Sequence, residues 1–488
     1  MHSNVLSLIS LIIYLGLVLA PLGIAHSLSL PSRPFLDQLS SHLAIIGFNV
    51  ILLEFLSTGR LKWISGLLGI DWVLQIHQLF ARLSVLLLVI HPFIYTLPNR
   101  PSYAPGLPDE RYLGLNSSSL ITGLFALIIL GLMIGLAINR NQSGQKYETW
   151  RASHAIMALM VALLGFHHTT HAGRFSQDSW VLTYWQLGLA IALLSILWVY
   201  LIQPLRQVRQ SYRVTSIREV SARTWELVID QSNPSHHSTG RLKYQAGQFA
   251  WLKLGKAYPL FENPFSIASC PEEDSSQLKF LIKDVGDFTH QVTELNIGDP
   301  IFVDGAYGNF GQSIFDPETK EVVLIAGGVG LAPLLSLIRA LTHHSNTALL
   351  KKKFVLIIGN RIEEQIIDLN GMVKLNAFED LTHVNVISEP TQQWLGEVGV
   401  LDAATLNRIL KSTDIEITRA HYFVCGPAVM IDAVENALDN MGVPLSQIDS
   451  EKFQYDFSKK NPRNQRSIMT AVLCASALVG VATYWALR

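Results

Sequence analysis

Charge is scarce in this chain. Only 15% of its 488 residues are Asp, Glu, Lys or Arg, against 49% hydrophobic, a balance that suits a membrane protein better than a soluble one. Formal net charge is −1, so the basic footprint of a nucleic-acid binder is missing and no nucleic-acid partner is expected. Cysteine is nearly absent too. Cys270, Cys425 and Cys474 form no CxxC pair, which argues against a disulfide scaffold, a zinc site or a Cys-ligated iron–sulfur cluster. No long internal repeat and no low-complexity tract is present. The N-terminus, "MHSN", lacks the positive n-region of a signal peptide, so the first apolar run reads as a retained helix.

What is there is unevenly spread. Residues 1–205 are overwhelmingly apolar, 206–462 read like a soluble protein, and 467–487 are apolar again. Six apolar runs fill the first part, near 5–25, 39–57, 72–97, 118–138, 150–170 and 180–202, each close to the ~20 residues that cross a bilayer core as a helix. With the N-terminus inside, the inner links carry Arg60, Lys62, Arg140, Lys146, Arg151, Arg206 and Arg209; the outer links carry Arg33, Arg100, Arg111 and Arg174. That bias puts the soluble part in the cytoplasm.

Three of the ionisable residues at membrane depth stand in one run, "HQLFARLSVLLLVIH", and such residues there usually serve a function. His77 and His91 are 14 residues apart. At about 100° per residue they fall about 40° short of four full turns, on one helix face and about 21 Å apart. The fifth run repeats the design, with His154 followed by His167 and His168. Facing helices are where bundles build cofactor sites, and paired neutral imidazoles suit the two axial bonds of a haem iron. His77 is expected opposite His154. The outer partner of His91 stays open: His168 lies 14 residues from His154 and on the better face, whereas His167, about 140° short of four turns, needs a local helix irregularity. His42 and His171 lie near run ends and read as interfacial. Arg82 needs a partner, a haem propionate or Glu54.

From about residue 212 the texture becomes strand-like. "RTWELVID", "GQFAWLKL", "LKFLIKD" and "DPIFVDG" are short, β-rich and separated by Gly, Pro and Asp, which suggests a small antiparallel barrel. After about 318 strands alternate with helices, as in "EVVLIAGGVGLAPLLSLIRAL", the pattern of a parallel α/β sheet. A glycine turn between strand and helix lets phosphate approach a bare backbone and a helix N-terminus.

The segment "FENPFSIASC" (261–270) resembles the flavin-binding signature of the ferredoxin-reductase superfamily. Together with the preceding histidine helices, residues ~40–460 resemble the NADPH oxidase and ferric reductase family, with five motifs in the same order. The resemblance implies that Asn263, Pro264, Phe265, Ser266 and Ile267 bind the isoalloxazine, although many relatives have His or Arg in place of Asn263. It implies that "KDVGDFT", with Gly286, Asp287 and Thr289, holds the FAD pyrophosphate. "IAGGVGLAP", with Gly327, Gly328, Gly330 and Pro333, matches the G-G-x-G-x-x-P nucleotide turn, where Gly330 is expected to face pyrophosphate. "VCGP" places Cys425 near the flavin as the catalytic candidate, beside Gly426 and Pro427. Arg361 sits where relatives contact the adenosine ribose and could pair with a 2′-phosphate, whereas Glu389 would repel one, so NADH and NADPH stay open. The family's flavin-stacking aromatic has candidates in Phe453, Tyr455 and Phe457.

The expected protein is therefore a multidomain, multi-pass protein of the plasma (inner) membrane. It has a six-helix haem-binding bundle (1–205), an antiparallel β-barrel FAD domain (206–317), an α/β NAD(P)-binding domain (318–462) and a C-terminal apolar helix (463–488) that spans the bilayer. NAD(P)H, FAD and two b-type haems would pass electrons across the bilayer to O2, giving superoxide, or to a ferric chelate. The alternative is an electron-relay subunit that serves a periplasmic redox partner.

Overall fold

The computed structural model describes residues 2–28, 30, 33–58, 60–62, 64–65, 69–94, 117–140, 147–208, 211–231, 242–255, 262–452 and 462–487. Phe453, Tyr455 and Phe457 lie outside the described residues. The chain forms two compact units, one of residues 1–68, 72–202 and 467–488, the other of 69–71 and 203–466.

The first unit is helical: α1 (His2–Ser27), α2 (Phe35–Leu53), α3 (Ile70–Ile94), α4 (Ser117–Ile138), α5 (Tyr147–Ala172) and α6 (Ser179–Leu197). Among the described residues seven helices are long and apolar enough to cross a membrane, six before residue 209 and one at Asn464–Ala486. Two thirds (67%) of the apolar window of α2 is buried, against 11–28% in the other six. So α2 is the central helix and the others turn apolar surface outward, as lipid allows. Ile46, Val50 and Leu52 of α2 pack in one core with Phe80 and Trp185. Asp178 caps α6, accepting from the amides of Trp180 and Val181.

The C-terminal helix (Pro462–Ala486) belongs to this unit. His42, near the start of α2, is buried against this C-terminal helix, and its Nδ1 lies 3.0 Å from the Ala482 carbonyl. His26 stacks on Trp485 at 5.3 Å, and Ser467 donates to Gln75.

The second unit begins with α7 (Gln203–Val208) and holds two sheets. The first comprises β1 (Ser211–Ser221), β2 (Thr224–Gln231), β3 (Phe249–Leu254), β4 (Asn263–Ser266), β5 (Gln277–Lys283) and β6 (Pro300–Tyr307). Its order is β4-β3-β6-β1-β2-β5 and every pairing is antiparallel. An isolated bridge from Ile267 to Phe280 joins the end of β4 to β5, the opposite edge. A short helix, α8 (Asp287–Thr293), follows β5.

The second sheet is parallel, with β7 (Glu321–Gly327), β8 (Lys353–Asn360), β9 (Asp380–Ile387), β10 (Glu397–Val398), β11 (His421–Cys425) and β12 (Ile448–Glu451) in the order β10-β9-β8-β7-β11-β12. Alternation along β7 serves both faces. Val322, Leu324 and Ala326 pack toward α9 (Leu331–His343). Val323 and Ile325 pack toward α10 (Ala403–Ser412) and α11 (Ala428–Asn440). Period-two burial on both sides is what a sheet covered by helices requires. Arg339 and Ser336 of α9 donate to the carbonyls of Ala268 and Ser269, at 2.5 Å each, which ties the segment after β4 to the parallel sheet.

Candidate functional site

In the helical unit the histidines form two layers. His77 of α3 faces His154 of α5 with ring centroids 6.4 Å apart, and His91 faces His168, also at 6.4 Å. Two imidazoles on opposite sides of one metal ion, bound through nitrogens about 2.0–2.1 Å away, keep their centroids about 6.3 Å apart. His167 does not face His91. Its Nδ1 lies 3.0 Å from Thr122 Oγ1, and its ring stacks on His171.

Hydrogen bonds fix the tautomers. His77 Nδ1 lies 2.7 Å from Glu54 Oε2, and the other Glu54 oxygen accepts from the Tyr14 hydroxyl at 2.6 Å. A carboxylate acceptor demands an Nδ1 proton. Ser40 gives its single hydroxyl proton to the His91 carbonyl at 2.8 Å, so at 3.0 Å it accepts from His91 Nδ1. His168 Nδ1 lies 2.8 Å from the Ser119 carbonyl, which can only accept. All three rings thus carry their proton on Nδ1, and Nε2 keeps a lone pair. Such outer partners are what metal-ligating imidazoles use. His154 differs: its Nδ1 is buried with no partner, and the ring stacks on Trp150 at 5.4 Å.

The sequence did not single out Ser40, Tyr14, Ser119 or Gly123. A Cβ on Gly123 would stand 2.5 Å from His168 Nδ1, so glycine there leaves room for the ring. A polar residue inside an apolar run was the available signal for Ser40 and Ser119. Arg82 is exposed, and both Glu54 oxygens are engaged by Tyr14 and His77.

In the second unit the chain runs from β7 through β8 and β9 on one side and returns to β11 on the other. The topological switch point therefore lies between β7 and β11, where open α/β sheets bind ligands. Register aligns Ala326 with Cys425, so "GGVG" and "CGP" meet at the carboxyl ends of neighbouring strands. They meet closely: a Cβ on Gly330 would run into the Cys425 carbonyl, and one on Gly327 would touch Met430 Sδ and Pro427. Beside the phosphate approach expected from the sequence, Gly330 therefore meets a second demand, since the neighbouring backbone leaves no room for a side chain. Gly328 is the open one. It has φ +53, and a Cβ there would meet nothing within 4 Å. Pro333 stands in the first turn of α9, where a missing amide proton costs nothing.

The segment Asn263–Ser266 pairs with β3 through Leu252↔Asn263 and Phe249↔Ser266. Its four residues are half-buried, and Asn263 Nδ2 is a buried donor with no partner. Phe265 stacks on Phe288 at 5.8 Å. Glu451, which sequence reasoning missed, pairs in register with Cys425, and its carboxylate lies 3.5 Å from Ser266 Oγ. It brings the segment at β4 and Cys425 to one place, and no local pattern marks it. The Cys270 thiol, just beyond, is pushed up to about 11 by burial and is neutral at ordinary pH.

The Thr289 hydroxyl is spent inside its own turn. It accepts from the amides of Val285 and Gly286 and donates to the Gly286 carbonyl, each at 2.9 Å. All its capacity is used, which corrects the expectation of a hydroxyl offered to a phosphate. Gly286 has open space around it, and Asp287 begins α8. Arg361, beyond β8, and Glu389, beyond β9, pair with each other: Nε to Oε2 is 2.9 Å, both side chains being exposed.

Helices long and apolar enough to span a bilayer precede a unit in which an antiparallel sheet is tied to a parallel sheet with a glycine crevice at its switch point. Residues 43–165 match the family described as "Ferric reductase like transmembrane component", and residues 324–436 match the "Oxidoreductase NAD-binding domain". The chain thus joins a region like a ferric reductase transmembrane component to a region like an oxidoreductase NAD-binding domain, and both matches mark it as an oxidoreductase. It is similar to the reductase component of propane 2-monooxygenase from Mycolicibacterium goodii, 26% identical over 51% of this chain and 68% of that protein. It is also similar to cytochrome b5 reductase 4 from Rattus norvegicus, 32% identical over 41% of this chain and 39% of that protein. Among solved structures, a flavohemoglobin from Malassezia yamatoensis with bound FAD and heme aligns over 85% of this chain and 99% of its own, at 16% identity and TM-score 0.47. The chain thus spans from 39% to 68% of the length of the two curated relatives.

Proposed function

We propose that the protein is a transmembrane flavocytochrome that moves electrons from NAD(P)H, through FAD and two b-type haems, to O2 or a ferric chelate across the plasma (inner) membrane. When bound, FAD supplies the conversion from hydride to single electrons, and the haems supply one-electron carriage. The observation that carries this reading is the pair of histidine layers at 6.4 Å, three of whose rings have Nδ1 hydrogen-bonded.

The chain's own residues position these groups. His77 with His154, and His91 with His168, hold the two irons; Glu54, Ser40 and Ser119 orient the rings. The crevice at Gly327, Gly328, Gly330, Gly426 and Pro427 receives the nucleotide, with the bare amide at Gly328 and the start of α9 toward phosphate. The half-buried backbone of Asn263–Ile267, with the Asn263 amide seeking an acceptor, suits the polar edge of a flavin ring. Cys425 and Glu451 flank that place. The Ile267–Phe280 bridge supports reading the antiparallel sheet as a closed barrel. The arginine and lysine distribution of the links supports a cytoplasmic reductase unit.

Purified full-length protein tests the reading. Its absorption spectrum is expected to give two haems and one flavin per chain, and anaerobic NAD(P)H is expected to reduce the haem bands. Flavin without haem, from cells supplied with haem, would remove the flavocytochrome assignment.

The Arg361–Glu389 pair bears on nucleotide choice. Glu389 holds the Arg361 guanidinium expected to meet a 2′-phosphate and adds a negative charge beside it. NADH is expected to be preferred. In Glu389→Ala the ratio of kcat/KM for NADPH over NADH is expected to rise about tenfold, equal to about 1.4 kcal/mol. An unchanged ratio would place the ribose elsewhere.

A further inference from the structure

His167 and His171 stand one turn apart on α5, beside the His91–His168 layer but outside it. Their rings are stacked, with centroids 4.1 Å apart and planes 17° from parallel. Each has its Nδ1 committed. The Thr122 hydroxyl lies 3.1 Å from the carbonyls of Ser118 and Ser119 and 3.0 Å from His167 Nδ1; with its proton on either carbonyl, its oxygen accepts from His167 Nδ1. His171 Nδ1 lies 2.9 Å from the His167 carbonyl, which can only accept. With Nδ1 engaged in this way, Nε2 is the nitrogen each ring can offer to a metal. His171 is exposed and His167 half-buried, near the carboxyl end of α5.

We propose that His167 and His171 form a two-point site for a divalent, imidazole-seeking transition-metal ion of the Zn(II) or Cu(II) class. Two nitrogens bound to one ion about 2.0–2.1 Å away lie about 3 Å apart. The rings are now nearly parallel with centroids 4.1 Å apart, so both must turn toward each other for the two Nε2 lone pairs to meet one ion. Residues at i and i+4 share a helix face, so one ion can meet both without distorting α5. The partners that set the tautomers, Thr122 and the His167 carbonyl, play the outer-shell part that metal-bound imidazoles need. Among the described residues no group of three or more His, Cys, Asp or Glu could hold a metal. A resident structural ion takes four ligands and a catalytic one three. Two protein ligands leave the remaining positions to water or an incoming chelator, which makes the ion exchangeable. Imidazole suits zinc, copper and nickel better than the oxygen-seeking magnesium or calcium. The inference concerns residues that the haem assignment does not use, and it stands or falls separately.

The test is titration of detergent-solubilised full-length protein with Zn(II), which is redox-inert, against a chromophoric competitor. The parent is expected to bind one Zn(II) equivalent more than His171→Ala. Thr122→Val keeps the side-chain shape but removes the acceptor, and is expected to weaken that equivalent at least about tenfold. Cu(II) in the same site is expected to give an EPR spectrum coupled to two imidazole nitrogens. His171→Ala and Thr122→Val are expected to keep the parent's haem content. Identical Zn(II) titrations for parent, His171→Ala and Thr122→Val, or a Cu(II) spectrum unchanged by His171→Ala, would overturn the site.

Discussion

Full-length His168→Ala protein is expected to carry about half the haem of the parent, and His167→Ala the full amount. The two residues are neighbours in sequence, and about 100° of helix rotation separates them. His168 faces His91 at 6.4 Å with Nδ1 on the Ser119 carbonyl, whereas His167 leans on Thr122 and His171. His91→Ala is expected to match His168→Ala, and His77→Ala or His154→Ala to remove the other haem. Gly123→Ala adds a methyl 2.5 Å from His168 Nδ1 and is expected to disturb the same haem without touching a ligand. Haem is counted per chain by the pyridine haemochrome spectrum, and bound ligands by the shape of the reduced bands. Haem lost from His167→Ala and kept in His168→Ala would reverse the pairing. Haem kept in all four ligand variants would remove both sites.

The nucleotide turn holds the second large effect, because two of its glycines are required for different reasons. A valine at Gly330 would drive its Cβ into the Cys425 carbonyl, a backbone atom of the paired strand β11. Neither side can swing away, so the register of β7 against β11 must give. The cost exceeds the usual 1–3 kcal/mol or so of an overpacked core. Gly330→Val is expected to lower the melting temperature of the reductase unit and to lose nucleotide oxidation, with flavin retention falling as α9 loosens its bonds to Ala268 and Ser269. At Gly328 the space is open and only φ +53 resists a side chain, a cost of about 1–2 kcal/mol. Gly328→Ala is expected to fold, to keep haem and flavin, and to raise KM for NAD(P)H about tenfold by placing a methyl where phosphate approaches the amide. Dithionite, which bypasses the nucleotide, is expected to reduce the haems in both variants. A normal KM in Gly328→Ala would mean that the turn only packs.

Local periodicity determined a good deal. A run of about twenty apolar residues forms a helix long enough to cross a bilayer wherever it packs, so α1 to α6 and the helix Pro462–Ala486 were legible as helices within a few residues. The helix repeat puts residues 14 apart on one face in any context. For that reason His77 with His91, and His154 with His168, could be named before any helix was placed. The alternation in "EVVLIAGGVG" likewise announced a strand buried on both faces and a turn at its end.

What only the tertiary structure decided involves partners distant in sequence. The choice between His167 and His168 depended on which face of α5 meets α3, and Ser119 and Gly123 of α4 help to set it. The proton positions on the rings come from Glu54, Ser40 and Ser119, which are 23, 51 and 49 residues from their histidines. Glu451 reaches Ser266 across 185 residues, and the Ala482 carbonyl reaches His42 across 440. A steric constraint on Gly330, from a carbonyl on another strand, is of the same kind. Periodicity is a property of one segment's own backbone geometry, so a sequence carries it openly. Hydrogen-bond acceptors and steric limits are supplied by whichever segment packs alongside, and that is settled only when the whole chain has found its lowest-energy arrangement.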